Sequence, residues 1–418
     1  MRMCHIDNRY NCSFWFFSIL PVGTGTPIIH VIKPYPIRPR FLHEVFIMLS
    51  LLAASAAYQI GAMRSATAPQ RVPCSVRCDG GVGLQTASSL GESGIADQLE
   101  YGGIPHVAVL VADAAKARQF YADVLGMTDD PEASSKLDSP GACVRVGKQV
   151  IQLLELPNPD PLDVDPEYSM SAPPPGYVAE GRPVHAGRDR HVALTLHDLA
   201  PLKESLEAID HPYTMSFSGR QALFTRDNDG NGWEFGPPVT YAKATRLFPP
   251  YLNAAEPSAG AILGWGGIPH VGLLVADAPR AKVFYVDLLG MRDETDLRPV
   301  KLPFAGLFLR CGEQQVHILQ LPNPDPNTAD ARPAYGNDRR TAYTVKSLEP
   351  VKAALDSEMC RHLFGVKWAY STATTAAGEA VLYCKDPDAN ELMFVEDPAI
   401  VPIAEADDGP MVPWTRLW

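Results

Sequence analysis

The sequence predicts an α+β fold that contains two tandem copies of one unit. Three observations predict it: motifs that recur along the chain, strand and helix patterns that alternate inside each copy, and a composition able to bury cores. The 418 residues are too many for a single ordinary core. With 46% hydrophobic and 20% charged residues, the chain is neither disordered nor fibrous in composition.

The motifs recur in the same order in both halves of the chain. The Gly-Gly-Ile-Pro-His-Val segment 102–107 returns at 266–271, and the Leu-Pro-Asn-Pro-Asp-Pro segment 156–161 returns unchanged at 321–326. Between them, a Phe-Tyr pair followed by Leu-Gly-Met occurs at 120–127 and again at 284–291. Internal repetition of this kind indicates duplication of a structural unit.

Periodicity within the first copy gives the order of its elements. Residues 104–111 form an apolar run typical of a buried strand, and residues 114–125 have helical spacing that ends at Gly126. Strands follow at 142–146 and 150–156, joined by a Gly147-Lys148 turn. The same order then repeats: strand 191–196, helix 199–209, and strands near 213, 222–225 and 232–236. Each copy is therefore predicted to be a pair of βαβββ modules.

Charge and cysteine content limit the partners. The net charge of −12 disfavours nucleic acid and anionic membranes, which are bound by clustered Lys and Arg. Neither nucleic acid nor a membrane surface is therefore an expected partner. Of the eight cysteines, four precede the copies and the other four occupy no equivalent positions in them, so a reducing compartment is expected rather than a disulfide framework.

The first hundred residues have the composition of a targeting leader. The apolar run 46–57 is too short to span a bilayer and ends in small residues, and a basic, hydroxyl-rich stretch follows it up to Cys78. This resembles a bipartite plastid leader and predicts plastid localisation; the alternative is a cytoplasmic protein with an extraneous upstream segment. The expected organisation is leader 1–100, first domain 101–240, linker 241–263, second domain 264–397 and tail 398–418.

Together, the Phe-Tyr and Leu-Gly-Met helix end, the first-strand His, the Pro-Asn-Pro-Asp-Pro turn, the run 189–191 and the ending 229–234 resemble the vicinal-oxygen-chelate superfamily. This superfamily comprises glyoxalases, bleomycin resistance proteins and extradiol dioxygenases. The resemblance is to a tandem, glyoxalase-I-like member, and it implies paired βαβββ modules that form cupped mixed sheets. It also implies four positions that hold one divalent metal ion, such as Zn, Ni, Co, Mn or Fe(II).

Carried onto this chain, the four positions are His106, Gln152, His191 and Glu234 in the first copy. In the second copy they are His270, His317, Arg340 and Met393. A guanidinium cannot coordinate a cation, and a thioether is a poor ligand for hard metals. If modules are exchanged between copies, one complete site collects His191, Glu234, His270 and His317, which is the arrangement we favour. Pairing within a copy instead gives the set His106, Gln152, His191 and Glu234.

The resemblance implies a metal-dependent lyase or isomerase acting on vicinal oxygens, with Glu234 as the catalytic carboxylate. The glutathione-binding Arg and Asn of the family are replaced by leucines, so strict glutathione dependence is not expected; these are Leu110, Leu274, Leu156 and Leu321. Alternatives are an Fe(II) extradiol-type dioxygenase and a non-catalytic small-molecule-binding protein. A monomer that is internally a pseudo-dimer, or a homodimer, is expected.

Several further residues have open roles. Arg340 is either a surface charge or an anion anchor, and the segment 162–186 is either a lid or a surface loop. The Pro-Asn-Pro-Asp-Pro turns are expected to be rigid strand exits. Four other histidines are expected to be core residues: His185, His197, His211 and His362.

Overall fold

The computed structural model describes residues 99–168, 177–196, 198–216, 220–237, 265–298, 302–328 and 331–400. It also describes the backbone of four short strands, which are β1 (Met3–Ile6), β2 (Cys12–Trp15), β3 (Phe17–Ser18) and β4 (His30–Val31). The chain divides into two compact units, 1–81 and 82–418. Most of the expected leader, the linker, most of the tail and His197 lie outside the described residues. None of the described helices has the length and apolar character needed to cross a membrane.

The first copy follows the predicted order. Its first module contains β5 (Tyr101–Gly103), β6 (His106–Val111), α1 (Ala114–Gln119) with a π-helical turn Phe120–Val124, β7 (Thr128–Asp129), α2 (Pro131–Ser134), β8 (Gly141–Val146) and β9 (Gln149–Glu155). After β10 (Val164–Asp165), β11 (Arg182–Pro183) and a 3-10 turn Ala186–Arg188, its second module contains β12 (His191–Leu196), α3 (Ala200–Ala208), β13 (Tyr213–Met215), β14 (Leu223–Arg226) and β15 (Gly232–Gly236).

The second copy repeats this order. Its first module contains β16 (Trp265–Val275), α4 (Ala278–Lys282) with a π-helical turn Val283–Leu288, β17 (Arg292–Asp293), a 3-10 turn Thr295–Leu297, β18 (Gly306–Cys311) and β19 (Gln314–Gln320). Its second module contains β20 (Arg340–Val345), α5 (Glu349–Asp356), α6 (Glu358–Phe364), β21 (Tyr370–Thr374), β22 (Ala380–Lys385) and β23 (Glu391–Glu396). The predicted α+β class with paired βαβββ modules is confirmed.

The ends of α1 and α4 follow from their sequences. Asp113 and Asp277 cap them, each side chain accepting a hydrogen bond from a backbone N–H of the first turn. The π-helical turn after α1 ends beside Gly126, which has a φ of +63°. This left-handed conformation is the one that glycine adopts most readily at the end of a helix, as the sequence predicted.

The two large sheets exchange modules between the copies. Sheet I has the order β13-β14-β15-β12-β16-β19-β18-β17, and sheet II has the order β21-β22-β23-β20-β6-β9-β8-β7, with β5 also paired to β20. Sheet I therefore joins the second module of the first copy to the first module of the second copy. Sheet II joins the two remaining modules. The expected exchanged pairing is the one that the sheets have.

Two glutamines form hydrogen bonds between the copies at the Gly-Gly-Ile-Pro motifs. The Oε1 atom of Gln314 accepts from the N–H of Ile104 at 2.9 Å, and that of Gln149 accepts from the N–H of Ile268 at 2.6 Å. Each amide oxygen occupies the space that a Cβ at the preceding glycine, Gly103 or Gly267, would fill. The second glycine of each repeated pair therefore leaves the space that the glutamine of the other copy needs.

Contacts between modules of one copy also account for repeated motifs. The Tyr121 hydroxyl donates to Asp227 at 2.5 Å, and the Tyr285 hydroxyl donates to Asp386 at 2.8 Å. The amide of Asn231 donates to the carbonyl of Leu110 at 2.9 Å. The Phe-Tyr helix end and the Asp-x-Asp-x-Asn turn thus join the two modules of each copy, while the strands join modules of different copies.

The Pro-Asn-Pro-Asp-Pro turns do more than end their strands, and here the expectation was incomplete. Asp160 and Asp325 are buried, and each accepts from arginines of the other copy. Arg332 Nη1 lies 2.8 Å from Asp160 Oδ1, and Arg182 Nη2 lies 2.6 Å from Asp325 Oδ1. We call the whole group the crossed ion network, and its members are Asp160, Asp189, Asp325, Asp338, Arg182, Arg190, Arg332 and Arg339.

Removal of one carboxylate from the crossed ion network should strongly destabilise the protein. We expect Asp325→Asn to lower the free energy of unfolding by about 3–5 kcal/mol, because it leaves buried guanidinium groups without their counter-charge. Burial alone would raise the pKa of Asp325, but Arg190, Arg339 and Arg182 outweigh it and lower that pKa. The network's contribution is therefore present at neutral pH and is lost as pH falls below about 4.

Urea unfolding measured at pH 7 checks this expectation. Asp296→Asn is the matched control, since Asp296 is exposed in the same copy. Equal stability of the two variants would contradict the assigned role of the network.

Candidate metal centre

Three neighbouring strands of sheet I bring three polar side chains together. His191 begins β12, Glu234 lies on β15, and His270 lies on β16. Ala193 of β12 is opposite both Glu234 and His270, and side chains alternate along a strand, so His191 shares their face of the sheet. The first copy supplies two of these residues and the second copy supplies the third.

The three side chains have the geometry of a metal site. Glu234 Oε2 lies 3.5 Å from His191 Nε2 and 3.4 Å from His270 Nε2, and all three ligand atoms lie within 4.8 Å of one another. The residues are 4–7% exposed. His270 Nε2 is buried and has no hydrogen-bond partner among the described residues. An orphaned imidazole nitrogen beside a carboxylate is what a divalent cation would satisfy, so these residues fit the ion.

The backbone fixes the orientation of His191. Its Nδ1 lies 2.8 Å from the carbonyl oxygen of Asp189, which assigns the ring proton to Nδ1 and leaves Nε2 free to coordinate. A Cβ at position 272 would come within 2.5 Å of the His191 ring. Gly272 is therefore required by close approach, and Asp189 links the ligand to the crossed ion network.

Burial and a nearby arginine determine the charge of Glu234. Burial alone would raise the pKa of this carboxyl, but Arg220 and His270 outweigh that effect and hold the pKa well below its ordinary value. Arg220 forms an ion pair with Glu234 Oε1, leaving Oε2 towards the histidines. Glu234 is thus an ionised carboxylate that could serve as a metal ligand. Sequence reasoning missed Arg220, because this residue lies in a loop without a recognisable motif.

His317 lies beside the three-residue cluster rather than within it. Its ring stacks on Phe308 at 3.7 Å and on His270 at 3.9 Å between centroids. Its Nε2 lies 3.1 Å from Gln315 Oε1, and Gln315 Nε2 donates to Glu294 at 2.7 Å. The bond to Glu294 orients the Gln315 amide so that its oxygen, which can only accept, faces His317. His317 Nε2 therefore carries the proton and donates it, and Nδ1 is unprotonated. Burial and the neighbouring His270 lower the pKa of His317 well below its ordinary value, so the ring is neutral.

Sequence reasoning missed Gln315 and Glu294. The spacing of Gln315 was an available signal, since a residue two positions before His317 on the same strand shares its face.

The histidines that were expected to be core residues differ in burial. His185 is buried, with Nδ1 2.6 Å from the Thr214 hydroxyl, as expected of a core residue. His211 is partly buried, whereas His362 is exposed, so its expected core position is wrong.

Sheet II carries the equivalent four positions with different chemistry. Arg340 stands at the place of His191, Met393 at that of Glu234, His106 at that of His270 and Gln152 at that of His317. Arg340 Nη2 donates to Gln152 Oε1 at 2.9 Å. A guanidinium at this place repels a cation. The alternative within-copy ligand set is split, because His106 and Gln152 lie in sheet II and the other two members lie in sheet I.

A family model for the Glyoxalase/Bleomycin resistance protein/Dioxygenase superfamily matches residues 103–235 and 267–394. The chain belongs to this superfamily. The two matched segments correspond to the two copies and together cover more than half of the chain. The expected resemblance is therefore confirmed. Among proteins of curated function, none matches the chain.

Solved structures with similar folds come from both enzyme types within the superfamily. A putative dioxygenase from Bacillus subtilis has 12% identity and a TM-score of 0.44, covering 72% of this chain and 86% of its own. Glyoxalase I from Zea mays has 13% identity and a TM-score of 0.40, covering 70% and 92%. A variant of homoprotocatechuate 2,3-dioxygenase from B. fuscum has 15% identity and a TM-score of 0.25, covering 74% and 75%. At these values none of them decides the reaction.

Metal retention should depend on His270 of the second copy and not on its counterpart in the first copy, His106. We expect His270→Ala to weaken metal binding on the order of a hundredfold or more, because it removes a direct ligand. The matched control His106→Ala changes the equivalent residue in sheet II and should leave retention unchanged. Elemental analysis after dialysis against a weak chelator measures both variants. Loss of metal in His106→Ala with retention in His270→Ala would contradict the assignment.

Proposed function

We propose that the chain is a divalent-metal-dependent enzyme of the glyoxalase I type that isomerises a small substrate with two neighbouring oxygens. The observation that supports this is the buried cluster of His191, Glu234 and His270. When bound, one divalent ion would supply Lewis-acid stabilisation to the substrate oxygens. Two histidines and one carboxylate leave coordination positions for those oxygens.

Proton transfer is the step that the protein's own residues must perform. In such an isomerisation a proton leaves the carbon bearing the hydroxyl and returns to the neighbouring carbonyl carbon, so a base must hold it in between. We expected Glu234 in this role, and it stays a candidate. Arg220 keeps that carboxylate ionised but also makes it a weak base. The neutral His317, with a bare Nδ1, is a second candidate, and the Gln315 and Glu294 hydrogen bonds would stabilise it once protonated.

Apolar residues near the site support a substrate without glutathione. Leu274 and Leu321, which stand where glutathione-binding side chains are expected, pack with Leu319 and Phe304 in one apolar cluster. Such a surface offers no donors to a charged peptide. Arg220 has a side chain that is 31% exposed beside Glu234, and it offers a cationic contact for the polar end of a substrate.

A second candidate function is ring cleavage by an Fe(II) extradiol-type dioxygenase. The specific observation is that His317 lies outside the cluster, which leaves two histidines and one carboxylate. This is the facial triad of many non-haem iron oxygenases. A neutral His317 beside the triad would also suit a proton acceptor for a catechol hydroxyl. The non-catalytic binding alternative predicts the same ligands without turnover.

One pair of assays separates these functions. We expect the full chain loaded with Ni or Zn to bind about one equivalent of metal and to isomerise small α-hydroxycarbonyl compounds, measured by proton exchange at the reacting carbon in deuterated water. Oxygen uptake with catechols after anaerobic Fe(II) loading would instead establish the dioxygenase. Absence of both activities in metal-loaded protein would leave the binding function.

Gln315→Met tests the proton role of His317. It removes the acceptor of the His317 N–H while changing no proposed metal ligand, so we expect retained metal, a lower kcat and a shifted pH profile. Gln320→Met on the same strand is the matched control, because Gln320 bonds the start of α4 instead. An unchanged pH profile in Gln315→Met would contradict a role for His317.

We further propose that residues 1–100 direct the two-copy body to plastids. The support is the composition of the leader alone, with its apolar run followed by a basic stretch. A fluorescent reporter fused to residues 1–100 is expected in plastids. A cytoplasmic signal from this fusion would contradict the proposal.

A further inference from the structure

Arg340, in the sheet II site, is a charged group for which the described part of the chain offers no counter-charge. Its Nη1 donates to the carbonyl of Gly336 and its Nη2 to Gln152 Oε1, both at 2.9 Å. Its Nε is buried and has no hydrogen-bond partner among the described residues. Among the described residues, no carboxylate oxygen lies within 4.0 Å of a guanidinium nitrogen of Arg340, which is the distance limit for an ion pair. The neighbouring Arg339, in contrast, is paired within the crossed ion network.

The nearest carboxyl groups do not neutralise Arg340. Glu391 is opposite it on β23, but Glu391 Oε1 accepts from the N–H of Gly336 at 2.9 Å and Oε2 is buried without a partner. Burial raises the pKa of Glu391 to about 7, so this carboxyl is partly protonated at neutral pH. Asp338 faces Arg332 and Lys385. Positive charge therefore prevails at Arg340.

Other hydrogen-bond donors accompany this charge. Arg340 donates to the oxygen of the Gln152 amide, which leaves the N–H groups of that amide to donate to a ligand. His106 Nε2 is buried and has no partner among the described residues. Burial and Arg340 lower the pKa of His106 to about 3, so its ring is neutral and can donate one hydrogen bond. Donors predominate, which selects a ligand that accepts hydrogen bonds.

Apolar residues flank these donors on both sides. Tyr383 and Met393 form one apolar cluster with Ala342, Val381 and Val395, and Tyr335 packs against it. A separate cluster contains Ala108, Leu110 and Leu154. Strand alternation places Ala342 and Met393 on the face of Arg340, and Leu110 and Leu154 on that of His106 and Gln152. The surroundings thus favour a ligand with an apolar body.

We propose that the sheet II site binds a small organic monocarboxylate, with its carboxylate on Arg340 and its apolar or aromatic body between the two apolar clusters. A planar carboxylate matches the fork of a guanidinium, and the remaining N–H groups of Arg340 can make such a pair. A phosphate dianion is disfavoured, because a single guanidinium faces it and Glu391 stands beside that guanidinium. The inference is independent of the reaction in sheet I.

Calorimetric titration of the metal-loaded full chain with benzoate tests the proposal. We expect saturable binding of benzoate at one site per chain, with weaker binding of the neutral analogue benzamide and of inorganic phosphate. Arg340→Met should weaken benzoate binding by about tenfold to a hundredfold, because it removes charge-assisted hydrogen bonds. It should leave metal content unchanged. Arg361→Met, at an exposed arginine of the same copy, is the matched control.

Several outcomes would overturn the proposal. They are absent benzoate binding, equal binding of benzamide, and unchanged binding in Arg340→Met. Loss of benzoate binding in His270→Ala, with binding retained in Arg340→Met, would place the carboxylate in the sheet I site and also overturn it. If Arg340→Met fails to fold, Arg340→Lys and Gln152→Met decide, and each should weaken benzoate binding severalfold while metal content stays at the wild-type level.

Discussion

The crossed ion network is the interaction on which the rest of the structure depends. Asp160 and Asp325 each bind arginines of their own copy and of the opposite copy, so the two turns share their counter-charges across the repeats. A buried carboxylate is tolerated only when it is paired, which makes the crossed arrangement of the copies energetically coupled to every charge in the group. The network also lies next to both sites, because Arg190 precedes His191 and Arg339 precedes Arg340 in the chain.

Exchange of modules has a consequence for the evolution of the two sites. Each sheet draws one half of its site from each copy, so a change in one copy alters one half of one site. Arg340 and Met393 both come from the second module of the second copy, and they therefore fall together in sheet II. The cluster of His191, Glu234 and His270 in sheet I draws its residues from both copies. Under the proposed function, a metal site could therefore be lost in sheet II and kept in sheet I.

Local pattern was enough to predict the elements and the duplication. The positions His191, Glu234, His270 and His317 came from the family resemblance; the first three lie together, and His317 lies beside them. The pairing of modules depended on more than pattern, since His106 and His270 occupy equivalent places in the repeated Gly-Gly-Ile-Pro-His-Val motif and look alike in sequence. Register and long-range contacts determine which of them meets Glu234. Long-range contacts also explain why the buried state of Asp160 escaped prediction, because its partners Arg332 and Arg339 lie in the other copy. Arg220 lies in a loop without a recognisable motif, and Gln315 was overlooked although its spacing from His317 was an available signal.

Charge at equivalent positions determines what each site can hold. In sheet I the ionised Glu234 lies next to two imidazole groups, and this combination attracts a cation. In sheet II the carboxylate position is occupied by Met393, and the carboxyl of Glu391 stands two residues earlier on the same face, with a raised pKa of about 7. Arg340 then replaces an imidazole with a permanent positive charge. The same set of positions thus carries a carboxylate between imidazoles in sheet I and an arginine without that carboxylate in sheet II, which is why we propose a cation for the first site and an anion for the second.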